Sequence, residues 1–154
     1  MSNENGRFPL IANDRKRDVR TQFGALCWRR QGSIVQVLLI TTRRTKRWVI
    51  PKGWPMGGET PAAAAAIEAF EEAGVEGIGS DTCLGIFSYT KEMEGDDLPC
   101  VVAVFPLRVT RKFKEWPEEN ERKRQWFSRK KAAAKVLEPE LKRLIANFDP
   151  KTLT

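Results

Sequence analysis

The sequence predicts an α/β fold, a mixed β-sheet covered by helices in one domain. Three observations carry that expectation. Apolar stretches of strand length recur at 19–29, 34–42, 83–90 and 99–110. A helix pattern at 61–73 interrupts them, and two more, at 128–137 and 138–148, close the chain. Strands on both sides of a helix, followed by further helices, fit layers of helix packed on sheet. With 154 residues and no internal repeat, the chain suits one ordinary core.

The elements follow in order. Residues 1–18 are polar and charged without periodicity, and read as a flexible N-terminal arm whose Arg15, Lys16 and Arg17 are solvated. The domain proper spans 19–149. Its first strand runs through Phe23, Ala25 and Cys27, turns at Gln31-Gly32-Ser33 and pairs with 34–42 as a hairpin. A basic loop, 43–47, leads to a short apolar strand at Trp48, Val49 and Ile50. Gly53, Gly57 and Gly58 then form a tight loop. Thr60 is a good helix cap, Pro61 a good first helical residue, and Gly74 a good terminator. Residues 75–80 read as a glycine-rich connection. The strands at 83–90 and 99–110 look antiparallel across a charged turn, and Pro106 suggests an edge or a bulge. A charged loop, 111–125, is anchored by a short strand at Trp126 and Phe127. Ser128 can cap the next helix, Pro139 breaks it from the last, and 150–154 is a tail.

On the central helix Glu68, Glu71 and Glu72 stand at i, i+3 and i+4 and share one face. The opposite face carries Ala62, Ala66, Ala69, Phe70 and Ala73, an apolar stripe that can pack on a sheet. Three carboxylates on adjacent turns repel unless a cation sits among them. They are hard oxygen ligands suited to Mg²⁺ or Mn²⁺. The plain alternative is a solvated acidic surface.

Composition narrows the chemistry. No histidine occurs, which excludes histidine triads, histidine general bases and histidine metal ligands. Three widely spaced cysteines without a C-x-x-C pair read as free thiols in a reducing cytoplasm. No apolar run is long enough to span a membrane, and no membrane partner is expected. The net charge is +7 although the helix is acidic, so positive charge gathers elsewhere and favours a polyanionic partner.

Gly53, Glu59, Glu68, Glu71, Glu72, Gly74 and Val75 match the Nudix box, G-x5-E-x7-R-E-U-x-E-E-x-G-U, at every interval. Ile67 stands where the box has arginine, and Ala69 is a small substitute for a bulky apolar residue. Arg47-Trp48-x-Ile50-Pro51, Leu84-Gly85-Ile86-Phe87, Trp116-Pro117-Glu118 and Arg122-Lys123-Arg124-x-Trp126-Phe127 extend the likeness. Together they resemble the diphosphoinositol polyphosphate phosphohydrolase branch of Nudix hydrolases. The resemblance implies a Nudix-type α/β/α sandwich with a mixed β-sheet. It implies metal-dependent hydrolysis of a phosphoanhydride in a diadenosine polyphosphate, an inositol pyrophosphate or another phosphorylated small molecule. Nucleic acid would enter only as an RNA 5′ end.

The same resemblance implies residue roles. Glu68 and Glu72, with Glu71 and the backbone carbonyl of Lys52, would hold Mg²⁺ or Mn²⁺. Glu71 matches the general base, with Glu68 or an acidic loop residue as a substitute. Arg20, Thr41, Thr42, Arg43, Lys91 and Arg122 would contact phosphate, with Arg44, Lys52 and Arg124 less clearly aligned. Trp54 or Tyr89 could stack on a base. Gln22 departs from a basic residue in the family. Ile67 lies beside Phe70 on the helical wheel and is expected to join the core, leaving the carboxylates to be oriented by metal or by another cation. A non-catalytic Nudix module binding a nucleotide or a protein is the competing reading. A nucleic-acid-binding domain rests on charge alone and lacks a basic and aromatic motif.

Overall fold

The computed structural model describes residues 19–153. The predicted arm, 1–18, lies outside the described residues. The described chain forms an eight-stranded sheet: β1 (Arg20–Gln31), β2 (Ile34–Thr41), β3 (Trp48–Val49), β4 (Lys52–Gly53), β5 (Val75–Gly79), β6 (Gly85–Lys91), β7 (Leu98–Lys112) and β8 (Arg124–Ser128). Three helices, α1 (Pro61–Ala73), α2 (Arg129–Lys135) and α3 (Pro139–Ala146), cover it. β1 and β7 are parallel, whereas the other pairs are antiparallel, so the sheet is mixed as expected.

Alternate residues of the central strands enter two cores. Leu26, Val37, Leu39, Val102 and Val104 face α2 and α3 with Leu141 and Ile145. Ala25, Cys27, Leu38, Ile40, Ala103 and Phe105 face α1 with Ala65, Ala69 and Ala73. Burial on both faces explains why these strands read as continuous apolar runs rather than alternating ones.

The sheet forks where the site will form. β1 and β2 pair only from Trp28↔Val37 to Gln31↔Ile34 and then separate. Residues 48–53 fill the gap. Val49 pairs with Ile40 of β2, whereas Gly53 pairs with Phe23 of β1. The glycine loop therefore leaves the middle of the sheet and delivers the chain to α1.

Several expectations need correction. Residues 75–79 are a strand, β5, antiparallel to β7, because the turn at Gly74 carries the chain straight back onto the sheet. Pro106 is in an interior strand opposite Leu26. On its other side β6 ends at Val104 and β5 begins at Leu107, so the proline interrupts no ladder there. The irregularity lies further on, between Glu76 and Gly77. Within the expected tail, Pro150–Thr152 form a 3₁₀ turn, with Pro150 buried and Leu153 packed on the core. The buried face of α1 is Ala64, Ala65, Ala69, Glu72 and Ala73, so Glu72 points inward rather than to the outer acidic face. Ile67 is half-buried and joins neither core, because the packed stripe lies on the other side of the helix.

The ends of α1 are built as the sequence predicts. The Thr60 hydroxyl accepts from the Ala63 N–H at 3.1 Å, and Gly74 takes φ +68° with its N–H on the Phe70 carbonyl. The remaining carbonyls of the last turn are capped by the loop after β7 and by the first residue of β8. Glu71 O accepts from Glu118 N at 3.2 Å, and Gly74 O from Phe113 N at 2.8 Å. Glu72 O accepts from Trp116 Nε1 at 3.1 Å, and Ala73 O from Arg124 Nη1 at 2.8 Å. The Arg124 guanidinium stacks 3.8 Å from the Trp116 ring. It also complements the negative end of the helix dipole.

This arrangement separates two glycines experimentally. Gly32→Ala, at φ +64° in open space, should cost about 1–2 kcal/mol for the left-handed backbone alone. Gly74→Ala should cost at least about 1 kcal/mol more, because a Cβ there meets Trp116 and Arg124 at 2.7 Å. Urea denaturation measures the gap, and equal losses would remove the capping account.

Candidate active site

The fork in the sheet sets Gly53 directly beneath α1. A Cβ on Gly53 would overlap the Glu68 carboxylate, so only glycine lets that side chain lie on the loop. One turn on, Glu72 is 9% exposed. Its Oε1 accepts from the Lys52 N–H at 3.2 Å, and its Oε2 lies 3.6 Å from Arg122 Nη2. The Glu68 and Glu72 carboxyl groups lie within hydrogen-bonding reach of each other. Glu71 is half-buried, and its charge reaches Glu68.

Burial penalises these charges. It raises Glu72 from its ordinary 4.5 to about 7, against the pull of Arg122 and Lys52, with the Glu68 charge adding to the rise. Glu68 is raised as well, first by burial and then by Glu118 and Glu71, while Glu72 and Arg122 act against it. Burial lowers the Lys52 ammonium from 10.5 to about 8, opposed by Glu72 and Glu138. Cys27 is buried and its thiol is pushed up to about 12, which leaves it inert near neutral pH.

The residues fit a hard divalent cation. Two carboxylates converge above a bare glycine, and burial still penalises both charges despite the protein cations around them. No three such side chains make a ready cage among the described residues. A cation here would therefore rest on the Glu68 and Glu72 pair, with Glu71 on the adjoining turn and backbone or substrate oxygens completing the shell.

Beside this pair lies a cavity of about 420 Å³ walled by Thr42, Arg43, Arg44, Arg47, Lys52, Tyr89, Lys91 and Arg122, among others. Lys52 and Arg122 belong to both features, since each touches Glu72. Within the groove Lys52 Nζ sits 4.7 Å from the Tyr89 ring centre, and the Tyr89 hydroxyl donates to Gln22 Oε1 at 2.7 Å. Tyr89 is thus held by Lys52 and Gln22. Trp54, 40% exposed, is not among the residues lining this groove.

The structure brings together Thr42, Arg43, Lys52, Lys91 and Arg122 from the predicted set. Arg43 also pairs with Glu121 at 3.2 Å on the surface, and Arg44 pairs with Glu92 across the groove mouth. The Thr42 hydroxyl closes its own loop, accepting from Arg47 N at 3.1 Å. Thr41 and Arg20 do not line the groove. Thr41 is buried and its hydroxyl accepts from Lys123 N at 2.9 Å, whereas Arg20 lies on β1 opposite Cys100. Arg124 caps α1 rather than facing the groove. Sequence reasoning missed Arg47, whose guanidinium holds buried Glu138 at 3.0 Å, and the capping role of Trp116. It pointed only to an unspecified acidic loop residue where Glu118 stands, 2.7 Å from Arg122 Nε.

Comparison with known proteins bears on the family and the fold. A family model described as NUDIX domain matches residues 18–148. Nudix hydrolase 16, mitochondrial, from Arabidopsis thaliana is 34% identical over 72% of this chain and 63% of its own length. Diphosphoinositol polyphosphate phosphohydrolase 2 from Rattus norvegicus is 35% identical over 73% of this chain and 60% of its own length. The chain thus spans between 50% and 63% of the three plant relatives it matches. Among solved structures, a MutT protein from Methanosarcina mazei Go1 aligns with TM-score 0.64 at 19% identity, covering 90% of this chain and 98% of that one. A C. elegans Ap4A hydrolase aligns with TM-score 0.61 at 19% identity, covering 82% and 92%. These two show a shared fold. No described helix is long and apolar enough to cross a membrane.

Burial of the carboxylates also makes stability depend on pH. Glu72 binds its proton more tightly folded than unfolded, so its contribution is fully favourable below about pH 4.5 and is lost as pH rises towards 7. In chelator, melting temperature should fall across that window, and Glu72→Gln should flatten the fall. A profile equally steep in Glu72→Gln would place the burden on other groups.

Proposed function

Since the chain belongs to the Nudix family, we propose that it is a divalent-metal-dependent pyrophosphohydrolase acting on a polyphosphorylated small molecule. The substrate class we favour is diadenosine polyphosphate or inositol pyrophosphate. The observation that carries the reading is the basic groove opening beside the Glu68 and Glu72 pair, with Lys52 and Arg122 common to both. The name of the rat relative supports the inositol pyrophosphate arm. Free thiols at Cys27, Cys83 and Cys100 suit a reducing compartment, and we place the protein in the cytoplasm, although the plant relatives are named mitochondrial.

Substrate phosphates approaching buried carboxylates meet repulsion, and each part of the site answers it. Bound Mg²⁺ or Mn²⁺ would neutralise phosphate charge and polarise the scissile anhydride. Glu68 and Glu72 would hold that ion. Arg43 and Lys91, both lining the groove, present cations to the remaining phosphates. A water oxygen attacks phosphorus, its proton passes to the Glu71 carboxylate, and the bridging P–O bond breaks to release two phosphorylated products. Glu71 is the base we favour because it is less deeply buried than Glu72, whose carboxylate is already engaged by Lys52 and Arg122.

Two outcomes test this. Turnover of a panel of phosphoanhydrides should require Mg²⁺ or Mn²⁺, and Glu72→Gln should lower it by at least about 10³-fold while near-ultraviolet circular dichroism is unchanged. Parental rates in that variant would sink the metal assignment. Longer polyphosphates should also be preferred, with affinity weakening as salt rises. Equal efficiency on ADP-ribose and diadenosine hexaphosphate would count against the groove as a polyphosphate site.

A further inference from the structure

The acidic helix carries no cation of its own. α1 contains no basic residue, and Ile67, where the matched box has arginine, is half-buried outside both cores. Glu68, Glu71, Glu72 and Glu118 nevertheless gather at one end of it. The guanidinium that reaches them comes from far along the chain, at position 122 in the loop after β7.

Arg122 is held on three sides by three different elements. Its Nε donates to Glu118 Oε1 at 2.7 Å in the loop, and its Nη1 to the Thr41 carbonyl at 3.1 Å on β2. Its Nη2 lies 3.6 Å from Glu72 Oε2 on α1. The guanidinium side chain is only 9% exposed. Its anchors are themselves fixed. Glu118 N donates to the Glu71 carbonyl, and Thr41 N donates to the Lys123 carbonyl. A planar fork with fixed donors suits such three-way holding, whereas an ammonium does not. Glu72 is then gripped from both sides, by Lys52 N–H on one oxygen and Arg122 on the other.

We propose that Arg122 is a positioning residue that orients Glu72 and balances the acidic face in place of the arginine displaced by Ile67, rather than a ligand spent on substrate phosphate. The proposal rests on the metal-dependent reading above. Glu118, Thr41 and Glu72 each engage a different nitrogen of its fork, and the groove keeps Arg43 and Lys91 for phosphate.

The test uses the full chain, Mn²⁺ titration followed by electron paramagnetic resonance, and steady-state kinetics on diadenosine hexaphosphate and ADP-ribose. Arg122→Met should weaken Mn²⁺ binding at least about tenfold, the loss typical when a partner of a metal-holding side chain is removed. It should lower kcat at least as much while KM for either substrate moves less than about threefold. Arg122→Lys, which keeps the charge without the fork, should fall between parent and Arg122→Met. Ile67→Arg should raise kcat less than about tenfold, since its task is already filled. A rise in KM confined to the hexaphosphate, with Mn²⁺ affinity unchanged, overturns the proposal and makes Arg122 a phosphate ligand. If Arg122→Met fails to fold, Arg122→Lys decides, and parental Mn²⁺ affinity there also overturns it. A chain that turns over neither substrate but loses Mn²⁺ affinity in Arg122→Met refutes the hydrolase reading and leaves the role of Arg122 standing.

Discussion

The C-terminal turn of α1 is the constraint on which the site depends. A helix leaves its last carbonyls unpaired, and here they point into protein rather than water. The segment between β7 and β8 closes around them, with backbone from Phe113 and Glu118 and the Trp116 side chain, joined by Arg124 at the start of β8. That closure fixes the end of the helix bearing Glu68, Glu71 and Glu72. It also sets Arg122 and Glu118 beside the carboxylates. Packing of the alanine face alone would hold the helix on the sheet without fixing its rotation closely, because alanines are small and interchangeable in shape.

The fork between β1 and β2 supplies the other half of the geometry. By letting residues 48–53 into the sheet, it puts a backbone N–H at Lys52 and a bare Cα at Gly53 under the carboxylates. That N–H could not come from an ordinary interior strand, whose amides are already paired. The cost is burial of acidic groups that would rather be solvated, visible in the raised affinity of Glu68 and Glu72 for protons. Arg122 and Lys52 offset part of that cost, and a divalent ion bound as proposed would act in the same direction.

Local chemistry makes much of this readable from the sequence. Thr60, Pro61 and Gly74 end the helix where their own conformational preferences place them, and the hairpin at Gly32 follows from its turn residues. Glu68, Glu71 and Glu72 form a visible cluster by spacing alone. What escapes depends on distant partners. Helical periodicity sets Glu72 on the acidic side, but nothing local says that a Lys52 amide and an Arg122 guanidinium wait on the inner side. Residues 75–79 read as a connection because glycine is a poor strand former, yet β7 offers an open edge for them. Arg122 and Arg124 look alike as basic residues in one run. Their separate tasks emerge only once the loop is folded onto α1.

An arginine within α1 would travel with the helix and be present whenever the helix is. Arg122 arrives instead on a separate segment, pinned to β2 through Thr41 and to α1 through the capped carbonyls. The charge balance of the site is then tied to a local folding equilibrium: when the segment opens, the acidic helix loses its countercharge and its cap in the same event. Were Glu72 to hold a cation as proposed, opening and loss of cation affinity would become one cooperative transition, and the bound ion would hold the segment closed, by the reciprocity that governs linked equilibria.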